Sequence, residues 1–186
     1  MTERIKLTFL GTSGMIPSEK RNHPAFLVSY KDENILVDCG EGTQIQFRKA
    51  GLNPCKITRM LITHWHGDHT FGLPGILRTL SSSGYKKKLF IYGPRGIKKH
   101  IQEMFVAFGD IKEFEIEINE VSGKFFENQD FWLEAENMVH VQPCNAYSFC
   151  VKEKIRIDKR KLKKFKIQEG IHLRNLKEGK DFVYNG

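Results

Sequence analysis

The stretch Thr63-His64-Trp65-His66-Gly67-Asp68-His69 constrains this chain more than any other. Three imidazoles and a carboxylate crowd together in a chain with 7 histidines among 186 residues. Each can give a lone pair to a divalent metal, and nitrogen with carboxylate oxygen suits zinc. His64 and His66 are two apart, so on extended backbone they point the same way. Asp68 and His69 follow a glycine that lets the chain turn, which carries them towards a second, adjacent point. The segment therefore predicts a site for two neighbouring metal ions. Its flanks place it: residues 59–63 read as a short buried strand, and residues 71–77 as the start of an apolar helix. Ligands at a strand's C-terminal end, opening into a helix, stand where α/β folds put active sites. A chance cluster on a solvated loop is the poorer account, because surface loops seldom carry this density of ligands.

The length allows at most one large domain with a proper core. No apolar run reaches the roughly 20 residues of a membrane span. The opening Met1-Thr2-Glu3-Arg4-Ile5-Lys6-Leu7 has charges inside a strand pattern and does not read as a signal peptide. Cys39, Cys55, Cys144 and Cys150 are scattered without a Cys-x-x-Cys, which fits reduced thiols in a cytoplasmic protein. Charge is uneven. Residues 151–186 hold twelve Lys/Arg against five Asp/Glu, so +7 of the net +8 sits in the tail. A nearly neutral body with a basic appendage points to an anionic partner, nucleic acid first.

Hydrophobic periodicity predicts strands over 4–10, 25–30 and 34–38, then a helix from 39–43 to about 50 that Gly51 can cap. The polar loop 17–24 is long for a mere connection. A strand over 88–92 precedes a helix whose Ile97, Ile101, Met104, Phe105 and Phe108 keep helical spacing. From 113 to 139 the period falls to two. That order predicts one mixed sheet with helices packed on it. His140 ends the β-run, and zinc's preference for about four ligands makes it a further candidate. In the tail, Ile155, Ile157, Leu162, Phe165, Ile167, Leu173 and Leu176 interleave with lysines. That pattern predicts a small folded projection whose lysines contact phosphates.

The Thr-His-x-His-x-Asp-His segment (63–69) is identified as the signature of the metallo-β-lactamase superfamily. Further motifs resemble its ribonuclease Z branch: Phe-Leu-Gly-Thr-Ser-Gly (9–14), Pro-x-x-x-Arg-Asn (17–22), Asp-Cys-Gly-Glu-Gly-Thr-Gln (38–44), Asp-His-x-x-Gly-Leu-Pro-Gly (68–75), Tyr-Gly-Pro (92–94), and a His followed by Tyr-Ser-Phe (140–149). The resemblance implies an α/β fold, the αβ/βα sandwich in its first half, with a core over 1–149 and a flexible tRNA-binding arm over 150–186. It implies two zinc ions, the first on His64, His66 and His140, the second on Asp68 and His69. Asp68 is implied as proton acceptor and Asp38 as a residue that orients a ligand. Lys20, Arg21 and Asn22 resemble the substrate loop near the tRNA acceptor end, with the lysine one place later than in the family. Lys159, Arg160, Lys161, Lys163 and Lys164 resemble the arm's tRNA contacts, with Gly170-Ile171 where the family has Gly-Pro.

The implied activity is zinc-dependent endonucleolytic removal of the 3′ trailer from precursor tRNA, leaving a 3′-hydroxyl. The implied partners are tRNA and a second copy of the chain, without a membrane. The family also has a bridging aspartate and a final histidine that this sequence lacks, so the chain reads as a first half: a fragment, or one piece of a split enzyme. Two alternatives stand beside this reading: a small-molecule hydrolase of the same superfamily, and a catalytically incomplete tRNA-binding half.

Overall fold

A computed structural model describes residues 4–153, 157–177, 179–181 and 183. The chain opens with three antiparallel strands, β1 (Lys6–Gly11), β2 (Ala25–Tyr30) and β3 (Glu33–Val37). Helix α1 (Thr43–Lys49) leads to β4 (Arg59–Leu61). The short α2 (Gly67–Thr70) and α3 (Leu73–Ser82) lead to β5 (Leu89–Gly93), and α4 (Ile97–Phe108) to β6 (Ile116–Glu120). These six strands form one sheet in sequence order, parallel from β3 onward. Parallel neighbours need a crossover, and each of the three carries helix.

The helical crossovers pack on one face around Leu36, Phe47, Met60, Ile76, Leu80 and Ile91, all buried. β3 and β4 read as nearly continuous apolar runs, as strands covered on both faces must. What covers the other face departs from expectation. The β-run expected over 113–139 contributes to two sheets. β6 closes the first, and β7 (Gly123–Glu127) starts a second, antiparallel sheet with β8 (Phe131–Met138) and β9 (Cys144–Val151). The break falls at Gly123, whose φ of +67° suits glycine. A period of two says only that a residue is in a strand, not which sheet receives it. Between the sheets Phe131, Phe149 and Tyr30 pack ring against ring. Arg59 lies over the rings of Phe90 and Phe126 and is held by Glu33 at 3.3 Å.

The second sheet stops short of β1. Phe125 of β7 meets Tyr92 of β5, and Phe149 of β9 meets Tyr30 of β2, so β9 is the edge nearer β1. Leu7 and Phe9 stand opposite Val28 and Phe26, hence on the same face, yet are 53% and 65% exposed. An uncovered apolar strip thus lies beside an open strand edge, the combination that invites a further strand.

In the tail, Asp158 caps α5 (Lys159–Lys164) by accepting from the backbone N–H groups of Arg160 and Lys161. Leu162 and Leu173 are buried, while Phe165 and Ile171 are exposed. Of the interleaved residues, Ile155 lies outside those described. β9 runs to Val151, so the first residues of the expected arm belong to the second sheet.

Two glycines set how closely the segment 38–42 meets α2 and the start of α3. A Cβ on Gly72 would lie 2.1 Å from the Gly40 carbonyl oxygen, and one on Gly40 would lie 2.4 Å from that of Asp68. Both obstacles are backbone and cannot swing aside. Gly72→Ala is expected to cost about 3 kcal/mol, the upper end of overpacking penalties. Urea unfolding measures it, and a loss under about 1 kcal/mol would show that the segments can part.

Candidate metal centre

Three elements deliver the cluster. β4 ends at Leu61, and the chain runs extended through Ile62 and Thr63 because neighbours hold it: Ile62 N–H donates to the Tyr92 carbonyl at 2.8 Å. From β9, Asn145 N–H donates to the Thr63 carbonyl and the Tyr147 hydroxyl to that of Ile62, both at 2.8 Å. Asn145 is fully buried and ties a second bond to the Val121 carbonyl. Its positioning role was not foreseen from sequence. It lies 81 positions beyond His64 in the chain, and no local pattern links the two.

His64, His66 and His140 converge. His64 Nε2 is 3.0 Å from His66 Nδ1, and His140 Nε2 is 3.4 Å from the same atom. All three nitrogens lie within 4.8 Å of one another. Metal–nitrogen bonds of about 2.0–2.1 Å at tetrahedral angles put ligand nitrogens roughly 3.3 Å apart. The donor set therefore fits one divalent cation. Burial grades across it, with His64 buried, His66 half-buried and His140 exposed on the loop before β9.

Asp68 and His69 face the other side. The first turn of α2 presents Asp68, 7% exposed, and its Oδ2 is 3.5 Å from His69 Nε2. Asp38 fixes the histidine from behind: His69 Nδ1 lies 2.6 Å from Asp38 Oδ2. That bond places the proton on Nδ1 and leaves the Nε2 lone pair towards Asp68. Asp38 itself is buried with a φ of +56°, and accepts from the backbone N–H of Thr63 at 2.8 Å. The Thr63 hydroxyl reaches the same carboxylate at 2.9 and 3.0 Å, and His64 Nδ1 at 3.0 Å. A hydroxyl that donates to Asp38 can accept from His64 Nδ1–H, which turns the Nε2 lone pair of His64 into the cluster. One buried carboxylate thus orients both halves.

The two sides differ electrostatically. Burial, then the neighbouring His69, pulls the His64 pKa below the ordinary imidazole value, only partly opposed by Asp38. For His69 burial also pulls down, but the Asp38 hydrogen bond and the charges of Asp38 and Asp68 outweigh it, so its pKa is raised. Metal competes with protons for these nitrogens. His64 therefore loses its proton at a lower pH than an ordinary imidazole, whereas His69 keeps its proton to higher pH. If cations occupy both positions, the one at Asp68/His69 is expected to leave first as pH falls. Asp38→Asn should weaken the Asp68/His69 position about 10–100-fold, the scale seen when a ligand's orienting partner is lost. Metal content after dialysis between about pH 8 and 5 reads both effects, and simultaneous release at a single pH would contradict the order.

The other candidates lie elsewhere. Lys20 and Arg21 are exposed on the loop before β2. Asn22 donates through its side chain to the Glu41 carbonyl at 2.7 Å and accepts from Ser13 N–H at 2.8 Å, so it fastens that loop to the rim of the site. Lys159, Arg160, Lys161, Lys163 and Lys164 are exposed on α5, with Lys159 paired to Glu169 at 3.0 Å.

Comparison with known proteins fits this geometry. The family model described as Anti-Pycsar protein Apyc1 matches residues 5–161. Ribonuclease Z of Nanoarchaeum equitans is 41% identical over 177 residues, 95% of this chain and 56% of that protein. Ribonuclease Z of Methanococcus maripaludis is 40% identical over 98% of this chain and 60% of its own length. The short form of human tRNase Z superposes with a TM-score of 0.71 at 32% identity, covering 78% of this chain and 64% of that one. A metallo-β-lactamase fold protein of Bacillus subtilis, YhfI, shares the fold at TM-score 0.66 and 18% identity over 80% of this chain and 58% of its own. The chain spans somewhat over half the length of the curated relatives it matches.

Proposed function

The chain belongs to the metallo-β-lactamase-fold family described as Anti-Pycsar protein Apyc1 and resembles ribonuclease Z along nearly its whole length, and from that premise we propose that it forms the metal-binding half of a zinc endoribonuclease. The reaction is hydrolysis of the phosphodiester between tRNA and its 3′ trailer, leaving a 3′-hydroxyl on the tRNA. The observation that carries this reading is the convergence of His64, His66 and His140, with Asp68 and His69 beside them. Zinc held by these residues would supply Lewis acidity towards water and the phosphodiester. Asp68 is placed to accept the proton of the attacking water through a carboxylate oxygen, while Asp38 keeps His69 aligned.

Among the described residues the Asp68/His69 position has two donors. The longer relatives have further chain, and the open edge of β9 beside the exposed Leu7 and Phe9 can take a further strand. Lys20, Arg21 and the basic face of α5 grip the tRNA, Asn22 holds their loop, and a second copy of the chain completes the assembly. The four cysteines are unpaired, which suits the cytoplasm.

The test measures zinc per chain and cleavage of precursor tRNA, with and without a polypeptide matching the remainder of the longer relatives. Zinc binding with cleavage restored only by that polypeptide supports the proposal. Cleavage by the 186 residues alone overturns the half-site reading. A second reading is a small-molecule hydrolase of the same fold, since the donor set is not specific to one phosphodiester. Under it, tRNA does not compete with a small phosphodiester substrate.

A further inference from the structure

Beside the metal cluster, on the helical face, lies an open cleft of about 800 Å³ that the hydrolysis reading leaves unused. It begins at His66 and runs between the start of α3 and the outer side of α4. Its walls are aromatic and thioether: Trp65, Phe71, Met104 and Phe108. The indole of Trp65 is fixed by stacking on His100, centroids 5.0 Å apart and planes 12° from parallel. Phe71 and Phe108 are 64% and 65% exposed, large flat faces presented to solvent. In a chain of net charge +8, no lysine or arginine is among the described residues that line the cleft. Its charged groups other than histidine are Glu41 and Glu103. Glu103 has only long contacts, to His100 at 3.7 Å and Lys99 at 3.8 Å, so its oxygens can still accept hydrogen bonds.

We propose that this cleft is a nucleobase subsite, taking the base attached to the scissile phosphate and preferring bases with an exocyclic amino group. A phosphate is excluded from its interior by the two carboxylates and finds its counter-charge at the metal rim beside His66. A base meets the opposite requirements. Its faces stack on rings without regard to charge, and an amino group on its edge donates to Glu103 or Glu41. His66 belongs to both the cleft wall and the histidine cluster, so the cleft opens directly onto the metal rim. The inference deepens the phosphodiester reading by naming what is recognised next to the bond.

Trp132→Phe leaves Trp65 as the sole indole, since the chain has 2 tryptophans. Its fluorescence is titrated with cytidine, adenosine and uridine 5′-monophosphates and with ribose 5-phosphate. Saturable quenching is expected from the cytidine and adenosine nucleotides, weaker quenching from uridine, and none from the sugar phosphate. Phe108→Ala should weaken binding about tenfold, the scale of one lost stacking contact. Glu103→Gln should reduce the preference for cytidine over uridine, since the amide NH2 can donate to the uridine carbonyl. Both positions are exposed, so circular dichroism should match the parent. Equal quenching by ribose 5-phosphate, or parent-like titrations of both variants, overturns the subsite. Asp68→Asn separates the two readings: it retains quenching while hydrolysis is lost. Intact hydrolysis without quenching sinks the subsite alone.

Discussion

Asp68→Asn is expected to lower cleavage of precursor tRNA by at least about a thousandfold in the complemented enzyme. The side chain has two tasks that an amide performs poorly. As a ligand it offers anionic oxygen opposite His69 Nε2, 3.5 Å away, and an amide oxygen binds a divalent cation far less well. On the proposed reaction it would also take the proton of the attacking water, and such proton transfer contributes roughly 10²–10⁴-fold. The first-turn position and burial of Asp68 are kept by the isosteric amide, so folding is spared. The loss should fall on kcat, with KM for tRNA nearly unchanged, because the proposed tRNA contacts lie on other residues. Steady-state kinetics with and without added zinc decides it. Activity within tenfold of the parent would remove Asp68 from the chemistry.

The second large effect concerns the basic tail. Neutralising Lys159, Arg160, Lys161, Lys163 and Lys164 together with glutamine is expected to weaken tRNA binding at least a hundredfold near physiological salt. α5 keeps its shape in this variant, because Asp158 caps it through backbone N–H groups and Leu162 buries its one apolar side chain. What changes is counterion release. Each phosphate contact adds about 0.7–0.9 to the slope of log affinity against log salt. Losing most of five contacts should flatten that slope by about 3 or more. Filter binding across a salt series measures both quantities. Zinc chelation should leave them untouched, since α5 holds no metal donor. An unchanged slope would move the tRNA contacts off this helix.

The sequence by itself determined the kind of fold and the identity of the candidate donors. Ligand spacing in 63–69 is local, and the two-apart histidines need only extended backbone to face one point. The helical and strand periods were legible for the same reason, each being a property of a few consecutive residues. The strands near 6–11, 25–30 and 89–93 and the helix at 97–108 stand close to where the pattern put them.

The tertiary structure alone decided three things. The β-run after 113 is shared between two sheets, because a strand's sheet is chosen by partners far away in sequence. Asp38 orients His69 directly and His64 through Thr63, a junction made when β3 and β4 lie side by side. Asn145 and Tyr147 hold the strand that carries the ligands, and only the packing of the second sheet on the first brings them there. Donor identity is written in residues, but convergence of donors is a long-range contact, and those form only when the whole sheet closes on its core.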